Sequence, residues 1–350
     1  MKKRATIKDV ASHAGVSIAT VSRIVNGHET VGEKVREHVN ESIKVLKFRP
    51  NVIGRNLKTS RTHTFGVVVP TLSNPVFADM VCGVQEEARL AGYSTLITMN
   101  EYTEGEEEVA VDTMLNNQVE GLILTVANAD QSPLCDRLDE ENIPYVLVYN
   151  KPETIDRCAV AVDNAAGGAR AAEEFVKLGH IYSGVIAGRF NDSDRSKARY
   201  DGFASYISAQ GLPDPVLAEV DFSKANVQIA INKFLSQPNP PTSIFCSTDL
   251  IAISAISILT SLGLSVPDDI SVIGFDGTDV GKLIQPSLAT ISQPSQRMGR
   301  AAVQLLLDRL EGGENTLRLM PFKFQPGDSV GILADKEDSL ALIFHEDGPV

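Results

Sequence analysis

The chain has 350 residues, 43% of them hydrophobic and 22% charged, with a formal net charge of −13. That length predicts two or three compact globular units, each with enough apolar mass for a core. No apolar run approaches the roughly 18 residues needed to span a membrane, and the basic start, Met1-Lys2-Lys3-Arg4, leads into polar Thr6-Ile7-Lys8-Asp9 where a signal peptide needs an apolar stretch. A cytoplasmic protein is expected. Cys82, Cys135, Cys158 and Cys246 lie far apart with no Cys-x-x-Cys pair, which predicts lone buried thiols, with no disulfide framework and no metal site.

Charge is unevenly placed. Residues 1–62 hold 13 Lys/Arg against 5 Asp/Glu, and residues 63–350 hold 19 against 40. A small basic segment on an acidic body predicts a nucleic-acid or membrane contact confined to one end.

Residues 5–48 read as three short helices. Thr6 and Asp9 fit a capping box ahead of Ile7, Val10, Ala11 and Ala14, with Gly15 as the stop. Ser17 caps a second helix with Val21, Ile24 and Val25 inside, ended by Asn26-Gly27. A third carries Val35, Val39, Ile43 and Leu46 on one face. Two helices joined by Gly15-Val16 make a helix-turn-helix pattern, whose second helix meets base edges in the major groove. Its outward positions are Ser17, Ile18, Ala19, Ser22, Arg23 and Asn26, with Thr20 at the edge. A plain three-helix bundle would also fit the periodicity; the basic balance and the short connection favour DNA. Pro50 then breaks the chain, and Val52, Ile53 and Leu57 share one side of a short helical stretch beside Arg55 and Lys58.

From Thr64 onward, strand-like runs alternate with amphipathic segments. The strands are Phe65–Val69, Thr95–Met99, Gly121–Val126, Tyr145–Tyr149, Gly184–Ala187, Ile244–Cys246 and Val272–Phe275; helices fall at 76–91, 165–178, 196–210, 224–236, 249–262 and 295–310. This predicts an α/β core of parallel sheets covered by helices, divided into two sheets with a cleft between them. Ligands of such folds sit at the carboxyl ends of strands. H-E-x-x-H and G-x-G-x-x-G are both missing, and Gly281-Lys282 lacks the flanking residues of a phosphate loop. The six histidines are scattered, and Glu106-Glu107-Glu108 reads as the coat of a solvated helix face. Neither an enzyme nor a cofactor site is expected.

Thr6-Ile7-Lys8-Asp9-Val10-Ala11, Ala14-Gly15-Val16-Ser17, Thr20-Val21-Ser22-Arg23 and Asn26-Gly27 resemble the lactose/galactose repressor (LacI/GalR) family of bacterial regulators. The likeness continues through Arg49-Pro50-Asn51, Arg55 and Leu57, then Gly66–Pro70, Asn74-Pro75-Val76-Phe77, Val162-Asp163-Asn164, Arg199 with Gly202-Phe203, and Ser271–Asp276 with Pro286-Ser287-Leu288. The resemblance implies a helix-turn-helix domain over 1–49, a hinge over 50–62 and a core over 63–335 similar to periplasmic sugar-binding proteins, followed by a tail over 336–350. The core halves are expected at about 63–161 with 292–321, and 162–291 with 322–335. It further implies a homodimeric repressor on a palindromic operator, controlled by a sugar, sugar acid or sugar phosphate.

Carried over by position, Ile18, Ala19 and Arg23 read bases, with Arg23 suited to a bidentate contact to guanine. Ser17, Thr20, Ser22 and Asn26, with Thr6, Asn51, Arg55 and Lys58, suit backbone contacts, and Leu57 resembles a hinge wedge in the minor groove. Effector contacts are implied for Val76, Phe77, Arg199, Phe222 and Asp276, and secondarily for Asn150, Thr248 and Asp249. Arg195 either faces the cleft, adding a second guanidinium for an anionic effector, or pairs with Asp192 or Asp194. Gly54 stands where alanine is usual in the hinge, Gly32 replaces a polar cap, and the tail after Gly331 shows no leucine heptad for a tetramer. A transport-type binding protein would share the core, but residues 1–62 argue against it, and an enzyme would have to show turnover.

Overall fold

The computed structural model describes residues 5–25, 31–48, 61–101, 105–221 and 224–333. It divides into two units, Met1–Thr62 and His63–Val350. Asn26, Asn51, Gly54, Arg55, Leu57, Lys58, Phe222 and the tail from residue 334 lie outside the described residues.

The first unit contains α1 (Ile7–His13), α2 (Ile18–Val25) and α3 (Glu33–Val45). The capping box forms as the sequence predicts: Asp9 N–H donates to Thr6 Oγ1, and Asp9 Oδ2 accepts from Thr6 N–H at 2.7 Å. Gly15 makes the turn at φ +61°, a conformation that costs glycine little. Ser17 Oγ then accepts the Thr20 N–H at 3.1 Å and so starts α2. Val10, Ala11, Ala14, Val21, Val39 and Phe48 form the core. Val35, expected inside, is 38% exposed because it lies in the first turn of α3, a full turn before Val39 is covered. Ser42 takes a buried place instead, bonded to His13 Nδ1 at 3.0 Å.

The second unit alternates strand and helix. In chain order it runs β1 (Thr64–Val69), α4 (Pro75–Leu90), β2 (Ser94–Met99), α5 (Glu106–Asn116), β3 (Gly121–Leu124), α6 (Pro133–Glu140), β4 (Tyr145–Val148) and β5 (Ala159–Ala161). There follow α7 (Asn164–Lys177), β6 (Ser183–Gly188), α8 (Asp194–Ala209), β7 (Val216–Val220), α9 (Lys224–Leu235), β8 (Ser243–Cys246), α10 (Asp249–Ser261) and β9 (Ser271–Asp276). The last elements are α11 (Val280–Leu283), β10 (Ala289–Ser292), α12 (Ser295–Leu310), β11 (Leu317–Leu319) and β12 (Lys323–Gln325). Two six-stranded sheets result, ordered β11-β5-β4-β3-β1-β2 and β12-β10-β9-β8-β6-β7. The chain therefore crosses between sheets three times: after β5, after β10 and after β11.

The expected parallel pairing holds throughout the first sheet and fails once in the second, where β12 runs antiparallel to β10. Three paired residues at an edge need no helical crossover, so either direction is open to them. The short or polar-interrupted strands β5, β7, β10, β11 and β12, and helix α6, carry too little periodicity to stand out in the sequence. Among the cysteines, Cys135, Cys158 and Cys246 are buried; Cys82, expected buried, is exposed on the outer face of α4 between core-facing Val81 and Gly83.

Each half is tied together by one pair of helices packed backbone to backbone. A Cβ on Gly168 of α7 would sit 1.9 Å from the Arg199 carbonyl oxygen of α8, and one on Gly202 would sit 1.9 Å from the Ala165 carbonyl. In the other half, Gly83 of α4 meets the Gln296 carbonyl at 1.9 Å, and Gly299 of α12 meets the Met80 carbonyl at 2.1 Å. Only glycine admits this approach. The α7–α8 pair fixes where Arg199 leaves its helix, so the packing also positions the cleft. Gly168→Ala and Gly83→Ala should each lower stability by about 1–3 kcal/mol, the usual cost of overpacking, read as a reduced urea midpoint for the core. Gly32→Ser, whose Cβ meets nothing within 4 Å, should instead supply the missing cap of α3 and stabilise the first unit by on the order of a few tenths of a kcal/mol. Unchanged midpoints in the first two variants would contradict the packing argument.

Candidate functional site

Two surfaces carry the chemistry. On α2, Ser17, Ile18, Ala19 and Arg23 are exposed while Val21 is fully buried, so the helix presents a mixed apolar and cationic face outward. Thr20 and Ser22 are half-buried along its edge. Thr6 is occupied by its capping box, and the Ser17 and Thr20 hydroxyls lie 2.9 Å apart.

The second surface is a tight cavity of about 20 Å³ within the core, at the carboxyl ends of strands of both sheets. Helix starts deliver most of its lining. Asn74 caps α4, its Oδ1 accepting the Val76 N–H at 3.2 Å, and the first turn places Val76 and Phe77. Tyr149, just past β4, donates its hydroxyl to the Val76 carbonyl at 2.7 Å and meets Phe77 edge-on at 5.5 Å. Ser193 caps α8, whose first turns bring Arg195, Ser196 and Arg199; Thr248 caps α10. Asp276 ends β9 and Gln293 follows β10.

Asp276 is the electrostatic centre. It is 3% exposed and holds φ at +130°, a conformation costly for any residue but glycine. Gln293 Nε2 donates to Oδ1 at 2.8 Å, Asn74 Nδ2 to Oδ2 at 3.5 Å, and Arg199 Nη1 lies 3.6 Å from Oδ1. Burial pushes this carboxyl up to about 7; Arg199 opposes the rise and Asp249 adds to it. Arg199 donates from Nε to Asn164 Oδ1 at 2.9 Å and from Nη1 to the Ser247 carbonyl at 2.6 Å, and its guanidinium lies 3.6 Å over the Phe275 ring.

Both alternatives for Arg195 hold together. It lines the cavity, and its Nη1 donates to the Val126 carbonyl at 2.8 Å and to Asp194 Oδ1 at 3.2 Å; Asp194, not Asp192, is the partner. Asp194 also accepts from Asn150 Nδ2 at 2.9 Å and from the Ala129 N–H at 2.9 Å, while its own N–H donates to the Ala127 carbonyl at 2.8 Å.

Two residues implied as secondary effector contacts lie off the cavity. Asn150 is fully buried, with its amide spent on the Val126 backbone and Asp194. Asp249 is also fully buried: Oδ2 accepts the Thr278 N–H and hydroxyl at 2.7 and 2.9 Å, and Oδ1 accepts the Thr290 hydroxyl at 2.6 Å. It braces the loop after Asp276 from behind, and burial raises its pKa. The expected solvated coat of Glu106–Glu108 also needs correction, since Glu107 turns inward, accepts the Ala127 N–H at 3.0 Å and is raised by burial.

Sequence reasoning missed Asn74, Tyr149, Ser193, Ser196 and Gln293. Asn74 before Pro75 and Ser193 before Asp194 carried a signal as helix caps. Gln293 followed a strand that the sequence did not reveal.

Residues 6–51 match the bacterial regulatory proteins of the lacI family, and residues 172–330 match the periplasmic binding protein-like domain. The HTH-type transcriptional repressor PurR of Aliivibrio salmonicida (strain LFI1238) is 31% identical over 325 residues, covering 92% of this chain and 96% of that one. The HTH-type transcriptional repressor CytR of Escherichia coli (strain K12) is 32% identical over 313 residues, covering 88% and 90%. The lac repressor dimer bound to operator and the anti-inducer ONPF superposes with a TM-score of 0.85 at 27% identity, covering 95% of this chain and all of that one. By these likenesses over nearly its whole length, the chain belongs to the lacI family of bacterial regulatory proteins.

Proposed function

We propose that this protein is a cytoplasmic, non-catalytic transcriptional repressor that binds a palindromic operator as a homodimer and releases or tightens its hold when a sugar or sugar derivative occupies the core cleft. One observation carries the reading: a single chain joins a basic helix-turn-helix unit with an outward Ile18–Ala19–Arg23 face to an acidic core with a polar cavity at its strand ends. The repressor names of the relatives and the operator-bound lac repressor dimer support it.

In this reading residues 1–49 form the DNA-binding domain, 50–62 the hinge, and 63–335 the core whose halves divide near 161, 291 and 321. Arg23 contacts guanine, Ile18 and Ala19 make apolar contacts with base edges, and Ser17, Thr20, Ser22 and Asn26, with Thr6, Asn51, Arg55 and Lys58, hold the backbone. Leu57 wedges the central minor-groove step. In the core, Val76, Phe77 and Phe222 supply apolar contact, and Arg195, Arg199, Thr248 and Asp276 supply polar contact. A cavity of about 20 Å³ holds about one water, so a larger occupant requires the two halves to part. That movement is the two-state element linking cleft to operator, with a coupling typically worth about 1–3 kcal/mol.

Selection from a random duplex pool should enrich an inverted repeat, and affinity for it should fall steeply with salt as Lys/Arg contacts release counterions. Arg23→Ala should cost about 1–3 kcal/mol and relax preference at one base pair of each half-site. Failure to enrich any repeat, or salt-independent binding, would contradict the repressor reading. Asp276 gives a second check. A carboxyl raised from 3.8 to about 7 in the folded state costs no stability at pH below its unfolded value and imposes its full cost above its folded one. The stability of Asp276→Asn relative to the parent should therefore rise between about pH 4 and 7 by on the order of a few kcal/mol and level off above. A pH-independent difference in chemical denaturation would contradict the buried-carboxyl assignment.

A further inference from the structure

The polar lining of the cavity is unevenly satisfied, and the unused groups define a ligand. Much of Arg199 is held by the protein: Asn164 takes its Nε, the Ser247 carbonyl accepts from its Nη1, and the Phe275 ring stacks beneath its plane. Arg195 differs. It is 6% exposed and lines the same cavity, and its Nη1 alone is engaged, by the Val126 carbonyl and Asp194. Its Nε and Nη2 make no hydrogen bond to an acceptor among the described residues, and neither atom is sealed from solvent. Gln293, 5% exposed, gives its Nε2 to Asp276 and keeps a buried Oε1 with no donor among the described residues. An acceptor left bare in a buried site carries its full desolvation cost, whereas donors open to solvent are free to take a ligand.

The two bare groups ask for opposite partners. Nε–H and Nη2–H lie side by side on one edge of the guanidinium plane, and such an edge matches two oxygens of one carboxylate or phosphate. A neutral hydroxyl would fill one of those donors and leave the other bare. Asp194 does not compete for that edge, because it sits on the Nη1 side and shares its oxygens with Asn150 and the Ala129 N–H. Gln293 Oε1 needs a donor, which an oxyanion cannot supply and a hydroxyl can. Resting on the cleft reading above, we propose that the effector is a hydroxylated oxyanion whose acidic group seats on the Nε/Nη2 edge of Arg195 while a hydroxyl donates to Gln293 Oε1. Arg195 is then the residue that selects it over its neutral analogue. The charge environment suits this: burial holds Asp276 partly protonated near neutral pH, which weakens its repulsion of an anion.

The test uses the full-length protein, titrated calorimetrically with matched sets of probes: ribose, ribonate and ribose 5-phosphate; glucose, gluconate and glucose 6-phosphate; galactose, galacturonate and galactose 6-phosphate. In at least one set an oxyanion should bind about tenfold to a hundredfold more tightly than its neutral parent, the worth of a charge-assisted pair. The carboxylate and phosphate members distinguish the two sources of the acidic group. Arg195→Gln should abolish that preference, and Gln293→Ala should weaken the hydroxylated oxyanion while leaving it preferred. If Arg195→Gln does not fold, Arg195→Lys carries the test, since an ammonium still reaches one acceptor and lacks the two-donor edge; it should lose most of the preference. A neutral sugar binding as tightly as its acids, with Arg195 variants indifferent, overturns the oxyanion class and leaves the effector cleft standing. No binding by any probe overturns both.

Discussion

The Asp194 carboxylate joins the two halves of the core, and much of the account depends on it. It begins α8 in one half and accepts hydrogen bonds from Asn150 and the Ala129 N–H in the other. The next residue, Arg195, reaches back to the Val126 carbonyl, and Glu107 holds the neighbouring Ala127 N–H. The strap that closes the halves thus continues directly into the cavity wall, because Arg195, Ser196 and Arg199 follow on the same helix. A ligand group that recruits Arg195 draws on the same network that sets the separation of the halves. Charge-assisted bonds of this kind are strong and directional, so they favour discrete arrangements over gradual deformation.

The buried acids show how tertiary context divides similar sequence signals. Asp249 and Asp276 both stand beside a strand end, and the resemblance gives both to the effector. Asp276 ends its strand in a strained conformation facing the cavity. Asp249 opens a helix one layer deeper, and three hydrogen bonds from Thr278 and Thr290 consume it. It acts on the site through the loop it braces. Depth is a property of packing, and no local pattern reports it.

Other parts were legible for the same reason in reverse: they are governed by nearest neighbours in sequence. The Thr6–Asp9 capping box, the Ser17 cap and the alternation of strands with helices all depend on residues within one turn or one pleat of each other. Val35 and Cys82 were misjudged because burial on a helix depends on which neighbour covers each turn. Gln293 was hidden because β10 is four residues long and reads Ala-Thr-Ile-Ser, with little alternation to mark it. The unpaired Oε1 that makes Gln293 informative exists only once Asp276 lies beside it.

Charge division gives the two units separate tasks. The basic balance of residues 1–62 suits a polyanion, whereas the acidic core would be repelled by one. Regulation then requires that cleft and operator sites share one conformational equilibrium. Linkage makes that claim directly measurable: the affinity of the selected operator duplex for the protein with and without a saturating cleft ligand, set beside the ligand's affinity with and without operator. The same factor is expected in both directions, about 5–150-fold for a coupling of ordinary size. A ligand that binds the cleft equally well on and off operator DNA would contradict it.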